Sequence, residues 1–210
     1  MTDWIVVVPV KGSTASKTRL ADFPLSPVER RRLALAFALD TVGAIAAVAD
    51  VRQLVVVTSD PEAASALAGL GAQIVPDPGD GLNAAIAAGL ERARRTHPDS
   101  AVAVITADLP TLATRDVAEA LELAAGHPTA FVADADGTGT TTITAQPHAA
   151  LTPAFGPGSA ARHVGLGMTS LALPEGSTLR RDVDTPADLE RALRQGVGPH
   201  TARALAHPVA

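Results

Sequence analysis

Apolar runs of four to seven residues alternate along the chain with longer segments in which apolar positions recur every three or four residues. The first pattern predicts buried strands, and the second predicts helices. Strands are predicted at Ile5–Val10, Leu54–Thr58, Ile74–Val75, Ala101–Thr106, Thr129–Ala133, Thr140–Thr144, Leu171–Leu173 and Leu179–Val183. This alternation is typical of an α/β fold with a mainly parallel central sheet.

Helix start signals fall between these strands. Ser26, Pro27 and Glu29 form an N-cap, a proline at the first helical position and the acidic member of a capping box. Helices are predicted at about 27–49, 61 to 69 or 71, 82–95, 114–125, 159–164 (capped by Ser159) and 186–195. With no internal repeat or linker, the pattern predicts a single domain over residues 1–195 and a tail, 196–210, that docks or frays.

Composition narrows the class of protein. A chain of 210 residues is long enough to bury one sizeable core. It is 47% hydrophobic, yet no stretch approaches the roughly 20 apolar residues of a membrane span, and the N-terminus lacks signal-peptide order. The absence of cysteine excludes disulfides, thiolate nucleophiles and cysteine-held metal sites. We therefore expect a cytoplasmic protein with no membrane partner.

The charge balance argues against a nucleic-acid partner. The net charge is −5, only 2% of residues are aromatic, and there is no tyrosine. A nucleic-acid binder usually carries a basic face or aromatic stacking platforms. The few clustered cations suit a small anionic ligand instead. Composition leaves homo-oligomer formation open.

The main cationic cluster is the loop that follows the first strand, where Lys11, Lys17 and Arg19 stand among small residues. It resembles a Walker A loop, but Ser16 replaces the second glycine, and nearby prolines disfavour the helix that should follow. A P-loop kinase and a solvated basic turn remain alternatives. The favoured interpretation is a loop around a nucleotide triphosphate, with Lys17 and Arg19 neutralising phosphate charge.

Two aspartates are candidate metal ligands. Asp108 follows a buried strand, at the end where open α/β sheets bind ligands, although an aspartate there also forms turns. Asp182 and Asp184 share one face of a predicted strand. Asp184 or Thr185 has a local role in capping the next helix, whereas Asp182 has none. Asp108 and Asp182 are therefore the predicted pair for Mg²⁺, which prefers oxygen ligands.

These motifs resemble the nucleotidyltransferases of the GT-A-like (MobA/IspD-type) superfamily. More narrowly, they resemble the phosphoenolpyruvate or 2-phospho-L-lactate guanylyltransferases (CofC/FbiD type) of coenzyme F-420 biosynthesis. The matching segments run in order along nearly the whole chain: 8–11, 15–20, 81–83, 107–110, 136–140, 155–163 and 182–186.

The resemblance implies a single-domain GT-A-like, Rossmann-like fold. It implies that Asp108 and Asp182 hold Mg²⁺ and that GTP binds the N-terminal loop, with Asn83 among the nucleotide contacts beside Lys11, Lys17 and Arg19. It also implies that Thr140, Gly156 and Ser159 bind the phospho-acid.

The residues themselves support the acceptor assignment, because Gly-Thr and Gly-Pro-Gly-Ser segments can offer backbone N–H groups and hydroxyls to an anion. Ordinary turn chemistry explains each segment equally well, and the choice between Thr140 and Thr141 stays open. Arg162 and His163 either contact substrate or lie on a helix face. The other histidines show no ligand spacing, so we interpret them as surface residues.

The predicted reaction is transfer of GMP from GTP to phosphoenolpyruvate or 2-phospho-L-lactate, with release of pyrophosphate. Lys17, Arg19, Asp108 and Asp182 are the predicted catalytic residues. The alternatives are a nucleotidyltransferase with a sugar phosphate or molybdopterin acceptor, and a non-catalytic nucleotide-binding protein. An NAD-dependent oxidoreductase is disfavoured, because no Gly-x-Gly-x-x-Gly follows the first strand.

Overall fold

The structure is a computed structural model that describes residues 2–10 and 25–206. Its strands are β1 (Trp4–Pro9), β2 (Val51–Val57), β3 (Gln73–Val75), β4 (Ala101–Ile105), β5 (Thr129–Ala133), β6 (Thr140–Ala145) and β7 (Thr169–Ser170). Its helices are α1 (Pro27–Ala46), α2 (Pro61–Ala68), α3 (Leu82–Thr96), α4 (Thr114–Ala124), α5 (Ser159–Gly165), α6 (Pro186–Gln195) and α7 (Pro199–Ala206). Among the described residues, no helix has the length and apolar character needed to cross a membrane.

The strands form one seven-stranded sheet in the order β3-β2-β1-β4-β6-β5-β7. Strand β6 is antiparallel to its two neighbours, β4 and β5, and every other neighbouring pair is parallel. The predicted α/β class with a mainly parallel sheet is therefore confirmed. Because β6 runs backwards, its first residue, Thr140, lies at the edge where β4 ends.

The sheet has a buried core on each face, and alternation along the strands divides side chains between them. In β1, Trp4, Val6 and Val8 belong to the core beneath α1, α2 and α4, whereas Ile5 and Val7 belong to the core beneath α3 and α5. Both faces of the central strands are thus covered, which explains their unbroken apolar character.

The predicted strands at Leu171–Leu173 and Leu179–Val183 are wrong. Within the described part of the chain the last strand is the short β7, and residues Thr178–Arg180 form a 3₁₀ turn instead. Side chains from other elements form hydrogen bonds with the backbone groups of this segment. The Asp116 carboxylate accepts the Thr178 N–H at 2.6 Å, and the Thr141 hydroxyl donates to the Leu179 carbonyl at 2.6 Å. Backbone groups that are bonded to side chains in this way cannot pair with a neighbouring strand.

Residues 199–206, which the sequence leaves as a tail that docks or frays, form α7 and pack on α1. The contact depends on Asp40, a buried carboxylate of α1. Asp40 accepts hydrogen bonds from the backbone N–H groups of His200 at 3.0 Å and Thr201 at 2.8 Å. A side chain on one helix therefore caps the first turn of another.

Replacing Asp40 with alanine should lower the free energy of unfolding by about 1–3 kcal/mol, because a buried and a partly buried N–H group lose their acceptor. Urea denaturation measures this loss, and hydrogen exchange should place the increased opening in α7. The matched control is Glu122→Ala, on the exposed face of α4, which should shift stability by no more than about 0.5 kcal/mol. Equal losses in the two variants would contradict the capping role.

Candidate functional site

Three carboxylates meet where β4 ends. Oxygens of Asp108, Asp182 and Asp184 all lie within 4.8 Å of one another, and each side chain is partly buried. The structure therefore brings the predicted pair, Asp108 and Asp182, together from distant parts of the chain. Carboxylate oxygens are hard ligands of the kind that divalent cations such as Mg²⁺ prefer, so the donor set fits such an ion.

The position of Asp182 is set by the segment that precedes it. The carboxylate of Asp116 accepts both the N–H and the hydroxyl of Thr178, each at 2.6 Å. The Val183 N–H then donates to the Asp108 carbonyl at 3.0 Å. Because the backbones are joined directly beside the two carboxylates, the approach of Asp182 to Asp108 is built into the fold.

Asp184 belongs to the cluster, and the helix cap next to it is Thr185. The N-cap of α6 is Thr185, whose hydroxyl accepts the Asp188 N–H, while the Asp188 carboxylate accepts the Thr185 N–H in a capping box. The sequence left the cap open between Asp184 and Thr185, and the structure assigns it to Thr185. The signal for the third carboxylate was present, since alternation placed Asp182 and Asp184 on one face.

The cluster makes Asp182 hard to ionise in the absence of a cation. Burial, followed by the charges of Asp108, Asp184 and Asp134, raises the pKa of Asp182 to about 8. Like charges crowded in this way favour one protonated carboxyl, or a bound cation that removes the repulsion. The electrostatics thus agree with the donor chemistry.

The predicted acceptor residues lie on the antiparallel strand β6 and around the start of α5. Thr140 begins β6 and is 8% exposed, and its hydroxyl oxygen lies 2.9 Å from His163 Nδ1. β5 and β6 change register next to it, between Val132 and Ala133, and such irregularities re-aim side chains. Thr141 is fully buried and its hydroxyl is bonded to the Leu179 carbonyl. Of the two threonines, Thr140 is therefore the one that keeps some exposed surface.

Gly156 and Ser159 stand at the start of α5. Gly156 has φ of 120° and Gly158, the N-cap residue, has φ of 72°, values that favour glycine. Ser159 is therefore the first residue of the helix rather than its predicted cap, and its side chain is buried. The Ala160 N–H donates to the Thr138 carbonyl at 3.1 Å, which joins this turn to the loop before β6. The structure thus places both predicted anion-binding segments side by side.

A family model described as "Guanylyl transferase CofC like" matches residues 4–207. The chain belongs to this family. It is similar to a phosphoenolpyruvate guanylyltransferase of Streptomyces scabiei, with 50% identity over 97% of this chain and 96% of that protein. It is also similar to one of Thermomonospora curvata, with 48% identity over 95% of this chain and 87% of that protein.

A solved structure, a candidate nucleotide-diphospho-sugar transferase from Desulfovibrio desulfuricans G20, has the same fold. Its TM-score is 0.75 at 19% identity, and the match covers 98% of this chain and 95% of that one. The resemblance inferred from the motifs is therefore confirmed. This member of the guanylyltransferase family is a nucleotidyltransferase with a GT-A-like fold.

The predicted nucleotide contacts fall into two groups. Lys11, Lys17 and Arg19 lie outside the described residues, although β1, which leads towards them, ends beside β4 at the same edge of the sheet as Asp108. Asn83 is described, and its amide is bonded twice to the Phe155 backbone, donating to the carbonyl at 3.2 Å and accepting the N–H at 2.9 Å. Its side chain therefore supports the loop that carries Gly156.

Sequence reasoning missed two residues beside the acidic cluster. Asp134 contributes to the raised pKa of Asp182 and accepts the backbone N–H groups of Thr138 and Gly139 at 3.0 and 2.7 Å. Arg180 donates to the Ala133 and Asp134 carbonyls at 3.3 and 3.0 Å. Asp134 bonds to the turn that follows it, but only packing brings its charge to bear on Asp182. Arg180 reaches carbonyls that are distant in sequence, so no local pattern marks it.

In the metal-free protein, we expect stability to fall as pH rises from about 4 to about 8. Asp182 keeps its proton up to about pH 8 in the folded state but loses it near pH 4 when unfolded. The folded state therefore binds more protons in this window, and raising the pH favours unfolding.

Thermal unfolding in EDTA measures this dependence, and Asp182→Asn should flatten the slope relative to the wild type. Excess Mg²⁺ should stabilise the wild type more at pH 8 than at pH 6, because binding needs the ionised carboxylate. Identical slopes in the two proteins would contradict the assignment.

Proposed function

We propose that this guanylyltransferase transfers GMP from GTP to the phosphate of phosphoenolpyruvate, the activation step of coenzyme F-420 biosynthesis. The observation that carries the proposal is the meeting of Asp108 and Asp182 at the carboxyl edge of the sheet. Relatives at about 50% identity that are named phosphoenolpyruvate guanylyltransferases support this acceptor. 2-Phospho-L-lactate is the alternative, because it offers the same phosphate and carboxylate.

The chemistry is a displacement at the α-phosphorus of GTP. An acceptor phosphate oxygen forms a bond to this phosphorus, and the bond to the oxygen that bridges the α- and β-phosphates breaks. Pyrophosphate leaves with the electron pair, and the product carries the enolpyruvyl group on a new diphosphate linkage to guanosine. The attacking oxygen is already ionised at neutral pH, so no side chain has to remove a proton.

The protein's task is then to align two anions and offset their charge. Asp108, Asp182 and Asp184 would hold Mg²⁺, which when bound supplies positive charge at the reacting phosphates. Lys17 and Arg19 are the proposed cationic contacts of the triphosphate. Thr140, Gly156 and Ser159 are the proposed contacts of the phospho-acid, and the Asn83 amide holds the loop on which Gly156 stands.

The direct test is mass spectrometry of the products from GTP and each phospho-acid, together with measurement of pyrophosphate. Pyrophosphate exchange across ATP, CTP, GTP and UTP would identify the base, and GTP is expected. A product with GTP and phosphoenolpyruvate supports the proposal. Turnover only with a sugar phosphate or a molybdopterin would show that the proposed acceptor is wrong. GTP binding without pyrophosphate release would favour a non-catalytic nucleotide-binding protein.

A further inference from the structure

His163 is buried at the centre of the proposed acceptor site. Its side chain is 0% exposed and lies between two aromatic rings, with ring centroids 5.7 Å from Phe131 and 5.4 Å from Phe155. A fully buried histidine needs hydrogen-bond partners for both ring nitrogens. One partner is Thr140, a proposed acceptor residue, and the other is Ala154, which lies two residues before Gly156.

The two partners determine where the ring carries its hydrogen. The Ala154 backbone N–H donates to Nε2 at 3.2 Å, so Nε2 must present a lone pair. In the neutral ring the hydrogen is then on Nδ1, which lies 2.9 Å from the Thr140 hydroxyl oxygen. The imidazole therefore donates to Thr140, and the hydroxyl hydrogen of Thr140 remains available for another acceptor.

The environment keeps the ring in this form. Burial, with a smaller contribution from the charge of Arg162, lowers the pKa of His163 to about 4. The ring thus stays uncharged across the physiological range, and its hydrogen-bonding pattern does not change with pH there. A neutral ring of fixed tautomer is suited to orienting its neighbours rather than to moving protons.

The same ring joins two segments that are distant in sequence. Ala154 begins the loop that carries Gly156, and this loop is also held by Asn83 at Phe155 and by the Arg162 guanidinium at the Ala154 carbonyl (3.0 Å). Thr140 belongs to β6. One imidazole therefore sets the loop and the strand relative to each other.

We propose that His163 is a positioning residue for the phospho-acid: by donating to Thr140, it makes the threonine hydroxyl a hydrogen donor to the bound anion. This inference rests on the proposed function. It predicts that His163 affects acceptor binding through Thr140 and leaves GTP binding nearly unchanged. If the role of His163 were purely structural, replacing it would weaken the binding of both substrates in proportion to the stability lost.

The first test locates the hydrogen. A long-range ¹H–¹⁵N NMR spectrum of the full-length protein distinguishes a hydrogen on Nδ1 from one on Nε2. We expect the Nδ1 form between pH 6 and pH 8. A hydrogen on Nε2, or a charged ring, would overturn the proposal whatever the acceptor is.

The second test separates the hydrogen bond from packing. Both His163→Phe and His163→Asn lose the Nε2 acceptor of the Ala154 N–H. His163→Phe keeps a ring but also removes the donor, whereas His163→Asn packs less well but offers an N–H at about the reach of Nδ1. We expect His163→Phe to raise KM for phosphoenolpyruvate about tenfold and His163→Asn to raise it less, even if the asparagine variant is the less stable. KM for GTP should stay within about twofold in both.

A double-mutant cycle with Thr140→Val tests whether the effect passes through Thr140. Once the hydroxyl is absent, adding His163→Phe should raise KM for the phospho-acid by much less than tenfold. The matched control is Phe131→Leu, which loosens the same ring packing and leaves both histidine bonds in place. It should lower stability without raising KM for the acceptor.

The outcomes separate this inference from the proposed function. In an active enzyme, two results would overturn the role of His163. One is an additive cycle, and the other is a KM for the phospho-acid that tracks the stability of the variants rather than the presence of an N–H donor. Absence of pyrophosphate release by the wild-type enzyme with both phosphoenolpyruvate and 2-phospho-L-lactate would overturn the proposed function, and this inference with it.

Discussion

Asp108→Asn is expected to lower pyrophosphate release from GTP and phosphoenolpyruvate by about a hundred- to a thousandfold. Asparagine matches aspartate in size but lacks the charge needed to hold a divalent cation against the triphosphate. The variant should still fold, because the bond from Val183 reaches the Asp108 backbone carbonyl, which the substitution retains. Removing the Asp108 charge also relieves repulsion within the carboxylate cluster of the metal-free protein.

The control for this variant is Asp99→Asn, which makes the same charge change two residues before β4 begins, at the opposite edge of the sheet from Asp108. The Asp99 side chain is 88% exposed, and it contacts His148 at 3.5 Å. This enzyme should keep its wild-type rate. Steady-state pyrophosphate release measures activity, and thermal unfolding verifies the fold of both variants. A correctly folded Asp108→Asn enzyme with near-normal turnover would refute the role of Asp108.

Gly89→Ala is expected to destabilise the protein by about 1–3 kcal/mol, which for a chain of this size lowers Tm by about 2–12 °C. Gly89 lies where α3 crosses β1 and β2. An added Cβ would overlap Val7 Cγ1 and lie 2.8 Å from Val57 Cγ2, in the middle of a buried core. The strain outweighs the gain of at most about 1 kcal/mol that alanine brings to a helix.

Gly43→Ala provides the opposite case for the same change. Gly43 lies in α1, and a Cβ there would meet no atom within 4 Å. Without a clash, the helix preference of alanine should raise stability by about 0.5–1 kcal/mol. Chemical denaturation of the two variants in parallel measures the contrast. If Gly89→Ala also raised stability, the close approach of α3 to the sheet would be wrong.

The sequence predicted those features that depend on local chemistry. Apolar runs predicted the central strands, and the Ser26–Glu29 capping box predicted the start of α1. The place of Asp108 followed from a general property of open α/β sheets, which bind ligands beyond the carboxyl ends of their strands. Asp182 was correctly predicted as its partner, although it follows a 3₁₀ turn rather than ending a strand. These inferences needed only spacing and residue type, so one sequence was sufficient.

The errors arose where side chains from elsewhere decide the outcome. The apolar residues at Leu179–Val183 suggest a strand, but Asp116 and Thr141 bind the backbone around their start. Likewise, nothing next to His163 in sequence shows that its ring will meet Thr140. Such contacts exist only after distant elements pack, so local patterns do not contain them.

The backbone bond between Val183 and Asp108 closes a long loop of chain, and carboxylates stand at both of its ends. An ion held there would act as a removable cross-link, because the unfolded chain cannot gather the same ligands. Magnesium supply would then govern how long the folded enzyme survives heat or proteolysis, in addition to how fast it turns over.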